Sequence, residues 1–191
     1  MKRIVYLHGF NSSPASKKAN QLLAWLAARG LADAFAAPHL HHRPARAMRE
    51  FEAQYGACNP DYLTLVGSSL GGFYATYLTE KYGFKSILVN PAVGAHLSLE
   101  TFIGAQVNLY TGEKYEFTSA HIEELKALAV AKPKRLDRYW LMVETGDETL
   151  DYRQAAAFYG GAKQLVIEGG DHGFQAWQSF LPEVVAFAGI A

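Results

Sequence analysis

The chain has 191 residues, enough for one domain with a sizeable core, and half of them are hydrophobic. Eighteen basic residues cancel eighteen acidic ones, so no overall field draws in nucleic acid or an anionic membrane. The single cysteine, Cys58, cannot form an internal disulfide and reads as a structural thiol in the loop Ala57-Cys58-Asn59-Pro60. Only four apolar residues follow Met1-Lys2-Arg3, too few for a signal peptide or a membrane span, so the expected location is the cytoplasm.

In chain order, Ile4–Leu7 reads as a buried strand. Ser16 is placed to N-cap a helix whose Ala19, Leu22, Leu23 and Leu26 fall at i, i+3, i+4 and i+7, with Gly30 at its end. Ala34–Ala37 is a weak strand stopped by Pro38, and a helix near Ala45–Tyr55 follows. The apolar run Leu63–Val66 leads into Gly67-Ser68-Ser69-Leu70-Gly71, with a helix-like segment from Phe73 to Tyr82 closed by Gly83. Ser86–Val89 is another apolar run, broken by Asn90-Pro91. Tyr139–Val143 and Gln164–Ile167 complete the strands, with helices near Tyr152–Tyr159 and from Gln175 to the C-terminus, the last split at Pro182. This alternation predicts an α/β architecture, a mostly parallel doubly wound sheet with helices on both faces.

Nearly fifty residues separate Ser86–Val89 from Tyr139–Val143, too many for one crossover helix. They include Phe102, Tyr110, Tyr115 and Phe117, then a helix with Ile122, Leu125 and Leu128 on one face. The expectation is one domain over residues 1–191 with a small cap at about 92–136, its aromatics shaping an acyl pocket; a packed helix pair is the alternative.

The pentapeptide Gly67–Gly71 has the form G-x-S-x-G between a strand and a helix, the context of a nucleophile elbow. Glycines two residues away on either side let the turn close and lift the Ser69 hydroxyl clear of the sheet edge. Ser68 stands one position too early for that spacing. A serine hydroxyl needs a base, and in a doubly wound sheet reactive groups collect at the carboxyl ends of the strands. Of seven histidines, His172 follows the Gln164–Ile167 strand, in Glu168-Gly169-Gly170-Asp171-His172-Gly173-Phe174. The acid belongs after the preceding strand, where Asp147 is first, with Asp151 and Glu148 as alternatives. Asp151 also suits the N-cap of the helix beginning at Tyr152, and Asp171 reads as a brace for the histidine loop. The oxyanion hole needs two backbone donors, expected from the N–H groups of Leu70 and of Phe10 in His8-Gly9-Phe10-Asn11-Ser12-Ser13-Pro14.

With these residues in place the chain resembles an α/β-hydrolase, and more narrowly the small bacterial YqiA-like esterases. The resemblance rests on Tyr6-Leu7-His8-Gly9-Phe10-Asn11-Ser12-Ser13-Pro14, Gly67-Ser68-Ser69-Leu70-Gly71-Gly72-Phe73-Tyr74-Ala75 and Asn90-Pro91-Ala92-Val93. Further on it rests on Tyr110-Thr111-Gly112-Glu113-Lys114-Tyr115, His121-Ile122-Glu123-Glu124-Leu125-Lys126, Gly146-Asp147-Glu148, Asp151-Tyr152-Arg153 and Gly169-Gly170-Asp171-His172. It implies esterase or thioesterase activity, with Ser69, Asp147 and His172 at the matching triad positions. After Pro38 that family usually carries a Pro-rich loop, whereas this chain reads His39-Leu40-His41-His42-Arg43-Pro44. These histidines lack the carboxylate partners and spacing of a catalytic binuclear metal site, and the expectation is that they line one wall of the active site.

The sequence therefore predicts a serine hydrolase that cleaves a small-molecule carboxylic ester or acyl thioester without metal or organic cofactor. A triad hydrolase of amides, lactones or carbon–carbon bonds carries the same residues, as does a binding protein whose triad is unused.

Overall fold

The computed structural model describes residues 1–190. In chain order the elements are β1 (Arg3–Leu7), α1 (Lys17–Ala27), β2 (Phe35–Ala36), α2 (Pro44–Tyr55), β3 (Leu63–Ser68), α3 (Leu70–Tyr82) and β4 (Lys85–Val89). Then come α4 (Ala95–Ser98), β5 (Gly104–Val107), β6 (Lys114–Phe117), α5 (Ser119–Leu128), β7 (Tyr139–Glu144), α6 (Tyr152–Phe158), β8 (Lys163–Ile167) and α7 (Leu181–Phe187). One sheet runs in the order β2-β1-β3-β4-β7-β8 with every neighbouring pair parallel.

Alternation along the strands builds two cores, because successive side chains point to opposite faces. Val5 and Leu7 of β1 pack with α2, α3 and α5, while Ile4 and Tyr6 pack with α1 and α7. Tyr139, Leu141 and Val143 of β7 join the first core, and Trp140 and Met142 join the second. Both faces of these strands are dry, which is why they read as continuous apolar runs rather than alternating ones. Each fully buried Leu, Ile or Val contributes about 1.5–3 kcal/mol, so a one-residue slip in register would disrupt both cores at once.

The predicted elements recur with shifted ends. The helix after the pentapeptide begins at Leu70 rather than Phe73, and Gly83 ends it at φ 80°. The last predicted helix divides into a 3-10 segment, Gln175–Phe180, and α7, with Pro182 in the first turn of α7. Leu23 faces outward, and the Ser16 side chain makes no capping hydrogen bond to α1. Asp151 caps α6 as expected, accepting from the Arg153 N–H at 3.0 Å.

The segment between β4 and β7 contains an element not anticipated from sequence, an antiparallel hairpin of β5 and β6. Its turn is tied to the loop after β1. Leu109 N–H donates to the Asn11 carbonyl at 3.0 Å, and Asn108 Nδ2 donates to the Ser12 carbonyl at 2.8 Å. Tyr115 donates its hydroxyl to Asn11 Oδ1 at 2.7 Å. Behind the hairpin, α5 packs against α2, where Arg43 and Glu124 form an ion pair. Among the described residues no helix is long and apolar enough to cross a membrane.

Candidate active site

Ser69 sits between β3 and α3 at φ 55° and ψ −120°, a conformation rare for a residue with a Cβ. The turn around it is fixed by backbone bonds. Ser69 N–H donates to the Val89 carbonyl at 3.1 Å, and the Ser69 carbonyl accepts from Gly72 at 2.9 Å and Ala92 at 3.1 Å. The glycines explain themselves by contact: a Cβ on Gly67 would meet the Gly71 backbone, and one on Gly71 would meet the Leu7 carbonyl. The elbow is therefore pressed against β1 so closely that only hydrogen fits.

His172 is brought to Ser69 from the loop after β8, with Nε2 3.1 Å from Ser69 Oγ. Its other ring nitrogen, Nδ1, lies 2.8 Å and 3.0 Å from the two Asp147 carboxylate oxygens. That partner fixes the proton on Nδ1 and leaves Nε2 free to accept from the serine hydroxyl. The Asp147 side chain is 2% exposed. Burial alone would push its carboxyl up, but the bond from His172 and those from the Leu150 and Thr149 N–H groups outweigh it and hold it below the usual range. Of the three acid candidates, Asp147 alone reaches the imidazole. Glu148 instead accepts from the His172 backbone N–H at 3.0 Å, and Asp151 is occupied as a cap.

Two residues that the sequence reading passed over hold the histidine loop. Glu144 ends β7 inside the protein, 1% exposed, and its carboxylate accepts from the N–H groups of Asp171, Gln175 and Ala176, each at 2.9 Å. Asn90, at φ 41°, donates through Nδ2 to the Asp171 and His172 carbonyls at 3.0 and 3.2 Å and accepts from Glu144 N–H at 3.1 Å. Asparagine tolerates that backbone region and carries both a donor and an acceptor, so it links β4, β7 and the histidine loop in one contact. Gly170 completes the clamp: at φ 73°, any Cβ there would strike the Glu144 carboxylate. Asp171 braces the loop as anticipated, accepting from Gln175 Nε2 at 2.9 Å.

On the other side of Ser69, Gly9 approaches so closely that a Cβ would lie 3.3 Å from that of Ser69. Leu70 is the first residue of α3, so its N–H has no carbonyl of its own helix to bond. Phe10 N–H makes no backbone bond among the described residues. His8 beneath them is buried, its Nε2 accepting from Leu40 N–H at 3.1 Å and its Nδ1 donating to the Gly9 carbonyl at 3.1 Å. With both nitrogens committed in the neutral form and water excluded, burial pushes the imidazole down to about 4.

A cavity of about 790 Å³ opens on Ser69 and His172, lined also by Phe10, Leu70, Leu99, Phe102, Tyr110 and Leu150. The segment between β4 and β7 thus supplies part of the wall. Phe102 and Tyr110 reach the cavity, as expected, but Phe117 lies under Phe10 at 5.3 Å between ring centroids, and Tyr115 faces elsewhere. The histidines 39, 41 and 42 do not line this cavity, contrary to expectation. They border a separate small recess with His8 and Tyr115, and His42 Nδ1 meets His121 Nε2 of α5 at 3.1 Å. Pro44 starts α2 immediately after them, which turns the run away from Ser69 toward α5. Among the described residues no three His, Cys, Asp or Glu side chains gather so as to hold a metal ion.

A parallel sheet wound on both faces, with a serine lifted on a strained strand-to-helix turn at its carboxyl edge, defines the α/β-hydrolase fold. Residues 3–189 match the model of UPF0227, described as an uncharacterised protein family, and the chain belongs to that family. A UPF0227 protein of Pectobacterium carotovorum subsp. carotovorum strain PC1 is 25% identical over 190 residues, covering 96% of this chain and 97% of its own. Among solved structures, a protein of Agrobacterium vitis S4 superposes with a TM-score of 0.77 at 19% identity, covering 98% of this chain and 88% of that one. Alpha/beta hydrolase domain-containing protein 10 from mouse gives a TM-score of 0.69 at 16% identity, over 96% of this chain and 87% of that one.

Proposed function

We propose that this protein is a serine hydrolase that cleaves a carboxylic ester or acyl thioester through Ser69, His172 and Asp147. The observation that carries the reading is the unbroken contact from Ser69 Oγ through both ring nitrogens of His172 to the Asp147 carboxylate, opening on a cavity. Ser69 Oγ attacks the carbonyl carbon as His172 Nε2 takes its proton, and Asp147 stabilises the imidazolium without taking the proton itself. The negative oxygen of the tetrahedral intermediate is held by the N–H groups of Phe10 and Leu70, each worth about 2.7–4 kcal/mol in the transition state. Collapse breaks the bond to the alcohol or thiol, which leaves with the proton returned by His172. Water then repeats the sequence on the acyl-enzyme and releases the acid. The segment at about residues 92–136 acts in this reading as a cap whose Leu99 and Phe102 contact the substrate.

A panel of esters and thioesters of graded acyl length tests this directly. Ser69→Ala should lower kcat by at least ~10⁴-fold on every substrate the parent cleaves, with an unchanged circular dichroism spectrum. Retained turnover in that variant would move the nucleophile elsewhere. A parent protein that cleaves nothing while binding ligands in the cavity would make it a binding protein on a hydrolase fold.

A further inference from the structure

A backbone donor serves an oxyanion only if the loop that carries it is held within about 0.5 Å of the working position. Phe10 is the proposed donor in the loop after β1, and its N–H makes no backbone bond among the described residues. The segment between β4 and β7 grips that loop at successive points. The Phe10 ring packs edge-to-face on Phe102 and on Phe117, with centroids 5.6 and 5.3 Å apart. The Asn11 carbonyl accepts from Leu109 N–H, and the Ser12 carbonyl accepts from Asn108 Nδ2. Between these points the Asn11 side chain reaches both strands of the hairpin. Its Oδ1 accepts from the Tyr115 hydroxyl of β6 at 2.7 Å, and its Nδ2 donates to Gln106 Oε1 of β5 at 2.9 Å. Gln106 is oriented in turn, its Nε2 donating to the Phe102 carbonyl at 2.7 Å.

Asn11 itself stands at φ 51°, a left-handed backbone that costs most residues free energy and asparagine less. With its side-chain donor, side-chain acceptor and carbonyl all bonded to the hairpin, it cannot rotate without breaking several contacts together. The Phe10 N–H lies one residue away. Tyr115 is seated as well, its ring stacked on His42 at 4.3 Å between centroids. Neither Asn11 nor Tyr115 lines the cavity that opens on Ser69, so neither reaches a substrate bound there.

We infer that Asn11, tied to Tyr115 and Gln106, positions the Phe10 N–H, so that the β5–β6 hairpin completes the oxyanion hole from outside the cavity. This rests on the ester or thioester hydrolase reading above. Asn11 and Tyr115 are positioning residues: they act on the transition state through Phe10, and their loss should slow chemistry while sparing substrate binding.

Tyr115→Phe deletes the hydroxyl and keeps the ring, and Asn11→Gly deletes the side chain while tolerating φ 51°. Both are assayed on the 4-nitrophenyl ester of the acyl length that the parent cleaves best. Each should lower kcat by about tenfold, part of the roughly 10²–10³-fold that a lost oxyanion donor costs, with KM within about twofold. The double variant should fall no further than Asn11→Gly alone, because both changes break the same contact, whereas independent effects would multiply. The trifluoromethyl ketone with the same acyl chain reads the oxyanion hole itself. Ser69 Oγ adds to its carbonyl carbon, the hydroxyl proton passes to His172, and the ketone oxygen becomes the anion. Its inhibition constant should rise in each variant by the factor by which kcat/KM falls, while that of the unfluorinated methyl ketone stays within about twofold.

Single variants that keep kcat and trifluoromethyl ketone inhibition within about twofold of the parent overturn the positioning role. A double variant that loses the product of the two factors does so too, as does an equal loss of both ketones, which marks a distorted cavity. Failure of the hydrolase reading looks different: the parent itself cleaves no ester and takes up no trifluoromethyl ketone. The ¹⁵N amide signals of Phe10 and Asn11 then decide the tether. Signals shifted and broadened in Tyr115→Phe would keep the hairpin's hold on the loop, and unmoved signals would remove it.

Discussion

Replacing Asn90 by alanine removes three side-chain hydrogen bonds at once and should weaken both the fold and the placement of His172. The Asp171 carbonyl keeps a second partner, the Phe174 N–H at 3.0 Å, and the His172 carbonyl lies near enough to the surface to take water. The Glu144 N–H has neither remedy, because Glu144 is 1% exposed and Asn90 Oδ1 is its partner. An orphaned buried donor costs about 1–3 kcal/mol. Alanine at φ 41° adds about 1–2 kcal/mol of backbone strain, part of which asparagine escapes. The sum is about 2–4 kcal/mol, which in a chain of this size lowers Tm by roughly 5–15 °C. Asn90→Gly loses the same bonds without the strain and should melt a few degrees above Asn90→Ala. Thermal melting of both variants, with kcat/KM measured well below the melting range, provides the assay. Activity should fall further than the folded fraction does, since the loop that loses its clamp carries His172, the proposed base. An Asn90→Ala protein that melts within about 2 °C of the parent and keeps its kcat/KM would refute the clamp.

Other outcomes follow from the same contacts. Asp147→Asn should lower kcat by about 10³–10⁴-fold by favouring the wrong imidazole tautomer, while Asp151→Asn, which keeps the cap on α6, should change it less than about threefold; steady-state kinetics of the pair decides. Gly170→Ala should reduce stability and activity together, because its Cβ strikes the Glu144 carboxylate; denaturant melts and turnover of the variant check both effects. His8 is held neutral with its folded value depressed to about 4, so the unfolded chain takes up a proton that the folded one refuses. Stability from this residue is complete above pH about 6.5 and is lost as pH falls toward 4, to a total of roughly 3 kcal/mol. Urea titrations at pH 7, 5.5 and 4.5 should show that decline, and His8→Gln should flatten it.

The parts of the site that could be read from sequence are those that follow strands. Ser69, Asp147 and His172 each stand just past an apolar run, and parallel strands deliver such positions to one edge whatever the loops do. The sheet itself was legible because buried parallel strands leave continuous Val, Leu and Ile runs. The β5–β6 hairpin left no such trace: four residues a strand, with polar side chains alternating, resemble a loop until their hydrogen bonds to the Asn11–Ser12 loop are seen. Asn90 was hidden by Pro91, since Asn-Pro reads as a strand breaker, although an asparagine at the end of a buried strand is also a signal for positive φ. Glu144 gave a clearer signal, a carboxylate closing a dry strand, which requires several donors wherever it lies. The histidines after Pro38 were expected on a wall of the active site, whereas they border a separate recess, with His42 against His121 of α5. Ser16 misled as well: a residue in the N-cap position with the right chemistry leaves the helix uncapped.

Labelling with a fluorophosphonate tests the central claim most directly, because the probe reacts with a serine only where a base and an oxyanion hole are already assembled. The folded protein should gain one adduct, mapped by peptide mass to Ser69 and not to Ser68, and the adduct should vanish on unfolding and in His172→Ala. An adduct on another residue, or none in the folded protein, would contradict the assignment of Ser69, His172 and Asp147 as a catalytic triad.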